Sequence, residues 1–145
     1  MIELAPFELW HAQAYVPQPD ERHIGQDERM AFAQIQASCG PAWTAIDEDG
    51  QVVAVGGICN AWNGRGIAWC GLSADAGRHM LRLTKMILRL HDALKYRRIE
   101  MYADAGSPIA GRWAVMLGFK LETPKPMRCF LPDGRDAMLY AKVNP

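Results

Sequence analysis

Long apolar runs, clustered cysteines and net charge are all missing from this 145-residue chain, and each absence removes a class of protein. The longest apolar stretch, 52–59, is far shorter than the roughly 20 residues that a membrane-crossing helix needs. The opening Met1-Ile-Glu-Leu-Ala-Pro has no basic start and no long apolar segment after it, so no secretory signal is read there. A soluble protein without a membrane partner is expected. The four cysteines (Cys39, Cys59, Cys70 and Cys129) form no Cys-x-x-Cys pair and no zinc-like spacing with His11, His23, His79 or His91. No metal site is expected. Three of the cysteines lie among apolar residues, where the thiol behaves as a small hydrophobe, and free thiols in a reducing, cytoplasmic setting are the expectation. Repeats, low-complexity tracts and linkers are absent too, which leaves one domain over residues 1–145.

What is present is ordinary globular material, 50% apolar and 22% charged. The charge is balanced overall but not along the chain. Residues 1–50 carry nine acids and two bases, whereas residues 51–145 carry fourteen bases and seven acids. Seven of those bases fall between Arg78 and Arg98. Such a block suits an anionic ligand, or an acidic arm against a basic body; a solvated helix face explains it as simply.

Periodicity orders the elements. Residues 6–16 read as a short helix ended by Pro17 and Pro19, with a short strand at Ile2–Leu4 as an option before it. Asp20–Gly25 reads as a polar loop and Asp27–Ser38 as a weakly amphipathic helix. Ala42–Asp47, Gln51–Cys59 and Ile67–Leu72 read as three strands of an antiparallel meander, with a turn at Glu48-Asp49-Gly50 and a Gly/Asn loop over Asn60–Gly66. Met80, Leu83, Ile87, Leu90 and Leu94 then line one face of a strong helix, with His91 at its surface. Ile99–Ala103 alternates as a strand, a helix runs from Ser107 or Pro108 to Leu117, and Phe119–Glu122 and Ala137–Val143 close the chain as strands. The order predicts an α/β fold with a single mixed β-sheet flanked by helices.

The segment richest in chemistry is Gly71-Leu-Ser-Ala-Asp-Ala-Gly-Arg-His-Met80, where a strand gives way to a helix. A helix start presents unpaired N–H groups and positive potential, which suit a phosphate. Gly77 allows close approach, and Arg78 and Arg82 stand where cations oppose the helix dipole unless an anion lies between them. A plain junction capped by Ser73 or Asp75, with the arginines in solvent, is the simpler reading of these residues alone.

Residues 42–143 as an ordered set, with Ala110-Gly-Arg-Trp-Ala-Val-Met-Leu-Gly-Phe119 as local anchor, resemble the GNAT (GCN5-related N-acetyltransferase) family. The anchor looks like the family's fourth helix, Asn-x-x-Ala-x-x-Leu-Tyr-x-x-x-Gly-Phe. The resemblance implies the acyl-CoA N-acyltransferase (GNAT) fold, acetyl-CoA as co-substrate and an amine of unidentified nature as acceptor. It implies that the backbone of Trp69, Cys70, Gly71 and Leu72 bonds the pantetheine arm. The amides of Ala76, Gly77, Arg78, His79 and Met80 would cradle the pyrophosphate, with Arg82 nearby. In the family's pyrophosphate signature, Gln/Arg-x-x-Gly-x-Gly/Ala, this chain has Ala74-x-x-Gly77-x-His79. The family's tyrosine falls at Ala114 and its asparagine at Ser107. Ser107 is thereby the candidate donor to the departing thiolate, and Glu100, on the strand beside the implied cleft, is a candidate base.

These departures, with Trp113 in the bulky position, resemble the GNAT-like proteins encoded in podovirus structural-gene clusters. That branch implies a virion-associated or host-interacting module, placed in the host cytoplasm or the virion and acting through a phage or host protein partner. Binding of nucleic acid through Arg78, Arg82, Lys85, Arg89, Arg97 and Arg98 is disfavoured by the neutral overall charge and the lack of a binding motif. Of the tryptophans, Trp43 and Trp113 are expected in the core; Trp62 reads either as an exposed contact for a substrate or partner or, more simply, as the anchor of its loop.

Overall fold

A computed structural model describes residues 1–21 and 25–145. The expected loop at Asp20–Gly25 therefore lies largely outside the described residues. The strands are β1 (Ile2–Pro6), β2 (Ala42–Asp47), β3 (Val52–Trp62), β4 (Arg65–Leu72), β5 (Arg98–Asp104), β6 (Lys120–Leu121) and β7 (Ala137–Val143), and the helices are α1 (Gln26–Ser38), α2 (Met80–Leu94) and α3 (Pro108–Met116). The strands form one mixed sheet in the order β1-β2-β3-β4-β5-β7-β6. The β4–β5 pair is parallel and its register runs from Arg65↔Arg98 to Ile67↔Glu100. The chain resolves into two compact units, Met1–Asn60 with Ala68–Lys85, and Ala61–Ile67 with Met86–Pro145.

In the first unit the continuous apolar run of β3 and the middle of β2 fill the core with Trp43, Ala45, Ala54, Val55 and Ile58, and α2 adds Leu83. The N-terminal segment corrects the expected helix at 6–16. Ile2–Pro6 pairs antiparallel with β2, and only a 3-10 turn, Leu9–Gln13, follows. His11 decides this locally. Its ring is buried, and its Nδ1 accepts the Glu8 N–H at 3.0 Å and lies 2.7 Å from Thr44 Oγ1, so the turn is tied to β2 and does not propagate. The expected Asn60–Gly66 loop is also corrected. β3 runs on to Trp62, and Asn63-Gly64 makes a tight hairpin with Gly64 at φ +86°. Asn-Gly is a strong hairpin signal, because both positions tolerate positive φ.

The cysteine expectation fails for one pair. Cys39 and Cys59 form a disulfide, leaving Cys70 and Cys129 as the free thiols. A separation of 20 residues hides this pairing in the sequence. In the fold, Asn60 N–H donates to the Cys39 carbonyl at 2.7 Å and Ile58 N–H to the Pro41 carbonyl at 2.9 Å, which brings the end of α1 against β3.

In the second unit Ile87, Ile99, Ala103, Ala114, Leu117, Phe119, Ala137 and Ala141 are buried. His91 is buried here too, which corrects its expected surface position. It continues the Leu83–Ile87 face of α2 by one helical step, and its Nδ1 lies 3.0 Å from Lys142 Nζ. Lys142 in turn sits over the Phe119 ring at 4.8 Å. The fold keeps that lysine's charge against a π face and a neutral imidazole acceptor. No helix among the described residues is long and apolar enough to cross a membrane.

Candidate functional site

The strand–helix junction comes first. α2 proper begins at Met80, and a 3-10 turn at Ala76–His79 precedes it, so the helix starts about one turn later than the sequence suggests. Gly77 is exposed, has no positive φ, and a Cβ built on it meets nothing within 4 Å. Neither backbone geometry nor packing requires a glycine there, and what the missing side chain leaves is open space. Arg78 and Arg82 are exposed beside it, and Arg78 Nη2 is 3.8 Å from Asp47 Oδ2. The N–H groups of Gln51 and Asp49, with Arg78 and His79 nearby, hold the Asp47 carboxyl below the usual carboxylate range. His79 is half-buried, and its Nε2 is shielded from solvent with no hydrogen-bond partner among the described residues. An unpaired buried nitrogen is costly, so this side chain has unmet capacity to donate or accept.

The preceding strand gives a mixed picture. Trp69, Cys70, Gly71 and Leu72 are all half-buried. Trp69 packs edge-on to Phe7, with ring centroids 5.9 Å apart, and its indole Nε1 has no partner. Burial pushes the Cys70 thiol well above its ordinary range, which makes it inert as a nucleophile. Gly71 is a glycine for its own chain's sake, since a Cβ there would lie 2.3 Å from the Tyr15 hydroxyl. Burial, with Glu21 nearby, pushes that phenol up to about 12. The carbonyl of Leu72 already accepts from Gln18 N–H at 3.1 Å, and Ala74 N–H donates to the Val16 carbonyl at 2.7 Å. Residues 16–18 thus take up the strand's hydrogen-bonding groups just where a pantetheine arm is implied.

In the second unit, Glu100 on β5 is 3% exposed and fully engaged. It accepts from Arg65 at 2.7 and 2.9 Å and from Arg98 Nε at 2.7 Å, and Arg98 also pairs with Glu122. The hydrogen bond from Arg65, followed by that from Arg98, outweighs burial and holds the carboxyl below its usual range. A base working near neutrality needs the opposite shift. This network also draws Arg98 out of the basic run, and Arg65 stacks over the exposed Trp62 at 4.3 Å. Trp62 therefore sits on the end of a strand under a guanidinium, not as a loop anchor.

Ser107 is where the chemistry concentrates. It is the N-cap of α3, with its Oγ accepting from Ala110 N–H at 3.4 Å and Pro108 at the first helical position, so sequence and structure agree on this helix start. It also lines an open groove of about 570 Å³, bordered by the end of β5, the outer flank of α3 and Met138 and Tyr140 of β7. Of the eleven lining residues only Ser107 is a sequence-based candidate; Gly111, Arg112 and Tyr140 are among those missed. A signal did exist. Gly111 falls in the middle of a helix, where it costs about 1 kcal/mol relative to alanine, and the structure gives the reason, because a Cβ there would meet the Tyr140 hydroxyl at 2.6 Å. Ala114, one turn further on, is completely buried and offers the site nothing. The junction and this groove lie in different units.

No protein-family model matches the chain, and no curated protein matches it by sequence. Solved structures do match in shape. A provisionally assigned phosphinothricin N-acetyltransferase superimposes with a TM-score of 0.76 at 16% identity, over 100% of this chain and 99% of that one. The ribosomal-protein-S18-alanine N-acetyltransferase of Escherichia coli gives 0.71 at 18% identity, covering 97% and 92% of the two chains. An N-acetyltransferase of Staphylococcus aureus gives 0.68 at 15% identity, covering 99% and 98%. The chain has the GNAT acyl-CoA N-acyltransferase fold, with its single mixed sheet flanked by helices.

Proposed function

We propose that this protein transfers an acetyl group from acetyl-CoA to an amine. One observation carries the reading: over almost its whole length the chain follows a fold whose matched structures are titled acetyltransferases, and it keeps open space at Gly77 beside two exposed arginines. In this reading the amides at Ala76–Met80 hold the pyrophosphate, and the half-buried His79 Nε2 finds its missing partner there. Trp69–Gly71 supply the backbone for the pantetheine arm. The amine, as its free base, attacks the thioester carbonyl; the new C–N bond forms, the C–S bond breaks, the ammonium proton is lost to solvent and the thiolate is reprotonated. Ser107 is the proton donor in this scheme, and Glu100 is a structural anion.

Calorimetric titration with acetyl-CoA tests it. Saturable binding that weakens at least tenfold in Arg78→Glu is the expected result, and no heat at millimolar ligand sinks the proposal. Gly77→Val should also weaken binding while leaving the melting temperature of the free protein nearly unchanged, because nothing in the free chain fills that space.

A second reading is favoured by two specific observations, the occupation of Leu72 and Ala74 by residues 16–18 and the apolar burial of Ala114. In that reading the chain is a silent GNAT-fold module, of phage origin, that works through a protein partner. Turnover of acetyl-CoA abolished by Arg78→Glu would eliminate it.

A further inference from the structure

The groove beside α3 has a polarity that the transfer reading uses only at Ser107. Its walls are mainly apolar, with Met116 and Met138 as adaptable surfaces and Val115 at the edge. Three groups bring polarity into it: the Ser107 hydroxyl, the Tyr140 hydroxyl and Arg112. Asp104 also lines it, but both carboxylate oxygens are committed. Oδ1 accepts from Gly106 N–H at 2.9 Å, and Oδ2 is bound by Arg135, which Asp133 also holds. That leaves Arg112 as the lining charge with no ion-pair partner among the described residues. The first turn and a half of α3, from the Ser107 cap through Arg112, adds the positive end of a helix dipole on the same side. A volume of about 570 Å³ is that of a small-molecule site.

We propose that this groove binds a small organic carboxylate on an apolar body, with the anion at Arg112 and the two hydroxyls and the hydrocarbon against Met116 and Met138. A cation is repelled at Arg112 itself, and a neutral alcohol forgoes the charge-assisted bonds. The inference shares Ser107 with the transfer reading, but it concerns binding and its readout needs no turnover.

The test uses the whole protein and three probes of one shape, octanoate, octylamine and octanol, in amide-resolved NMR titrations. Octanoate should saturate and move the amides of residues 107–116 and 138–140, with octylamine and octanol at least tenfold weaker. Arg112→Gln, at an exposed position, should erase the difference between octanoate and octanol. Val115→Tyr, also at an exposed position, should block all three probes without lowering the melting temperature. The proposal is overturned by octylamine binding as well as octanoate, by shifts centred elsewhere, by no saturation, or by stoichiometric displacement of octanoate by acetyl-CoA. The last outcome would assign the groove to the thioester's acyl group instead.

Discussion

At the scale of single residues, Gly111 and Tyr140 offer the sharpest experiment. Alanine is the better helix former by about 1 kcal/mol, yet its methyl would lie 2.6 Å from the Tyr140 hydroxyl. Gly111→Ala should therefore destabilise the protein by roughly 1–3 kcal/mol through overpacking. In a Tyr140→Phe background the obstructing oxygen is gone, and the same substitution should become neutral or stabilising by up to about 1 kcal/mol. Denaturant midpoints for the two single variants and the double variant give the coupling. If Gly111→Ala costs the same in both backgrounds, the glycine is not there for the tyrosine. Ser107 needs a control of the same kind. As an N-cap its loss to alanine should cost about 1 kcal/mol, so a role in thiolate protonation has to show as a fall in kcat beyond that of Ser107→Asn, which keeps a cap.

At the scale of elements, the sequence was legible wherever local periodicity and packing agreed. β2 and β7 have the boundaries read from alternation, and α3 begins at the Ser107-Pro108 cap. The failures share a cause, long-range pairing that outweighs local pattern. The 6–16 segment has helical spacing but is captured by β2 through β1 and His11, and the His91 side chain is set by contact with β7. The cap at Ser107 and the glycines at 77 and 111 could be read from sequence. The groove could not, since Tyr140 lies 29 positions from Gly111 in the chain. The Cys39–Cys59 bridge belongs here as well. It ties the end of α1 to β3, and closing a loop of this length should contribute about 3 kcal/mol by chain entropy. Reductant should lower the melting temperature of the wild-type protein and leave that of the Cys39→Ser/Cys59→Ser double variant unmoved. An equal response in both would show that the bridge adds nothing.

At the scale of the whole molecule, the buried ionisable groups set a response to acid. Burial, with Lys142 nearby, lowers His91 from its ordinary value of 6.5 to about 3. Between those two values the folded protein keeps the imidazole neutral while the unfolded chain takes up a proton, so stability is full above pH 6.5 and falls as the pH drops toward 3. The slope from this one group approaches about 1.4 kcal/mol per pH unit. Burial lowers His11 in the same direction. Glu100 acts lower on the scale. Its folded carboxyl, held down by Arg65 and Arg98, contributes stability that is present above the unfolded value of 4.5 and lost as the pH falls below it. Unfolding free energy should thus decline gently from about pH 6.5 and steepen below about pH 4.5. His91→Gln, which keeps an acceptor for Lys142 but cannot titrate, should flatten the upper limb and make the lower one shallower, leaving the added steepening below about pH 4.5 in place. Glu100→Gln should remove the steepening below about pH 4.5 and leave the upper limb, while costing a few kcal/mol at neutral pH, because it leaves two half-buried guanidinium groups without their carboxylate. Chemical denaturation from pH 7 to about pH 3 separates the two limbs. An upper limb unchanged in His91→Gln would mean that the imidazole is protonated in the folded protein, and that Lys142 does not hold the partner described here.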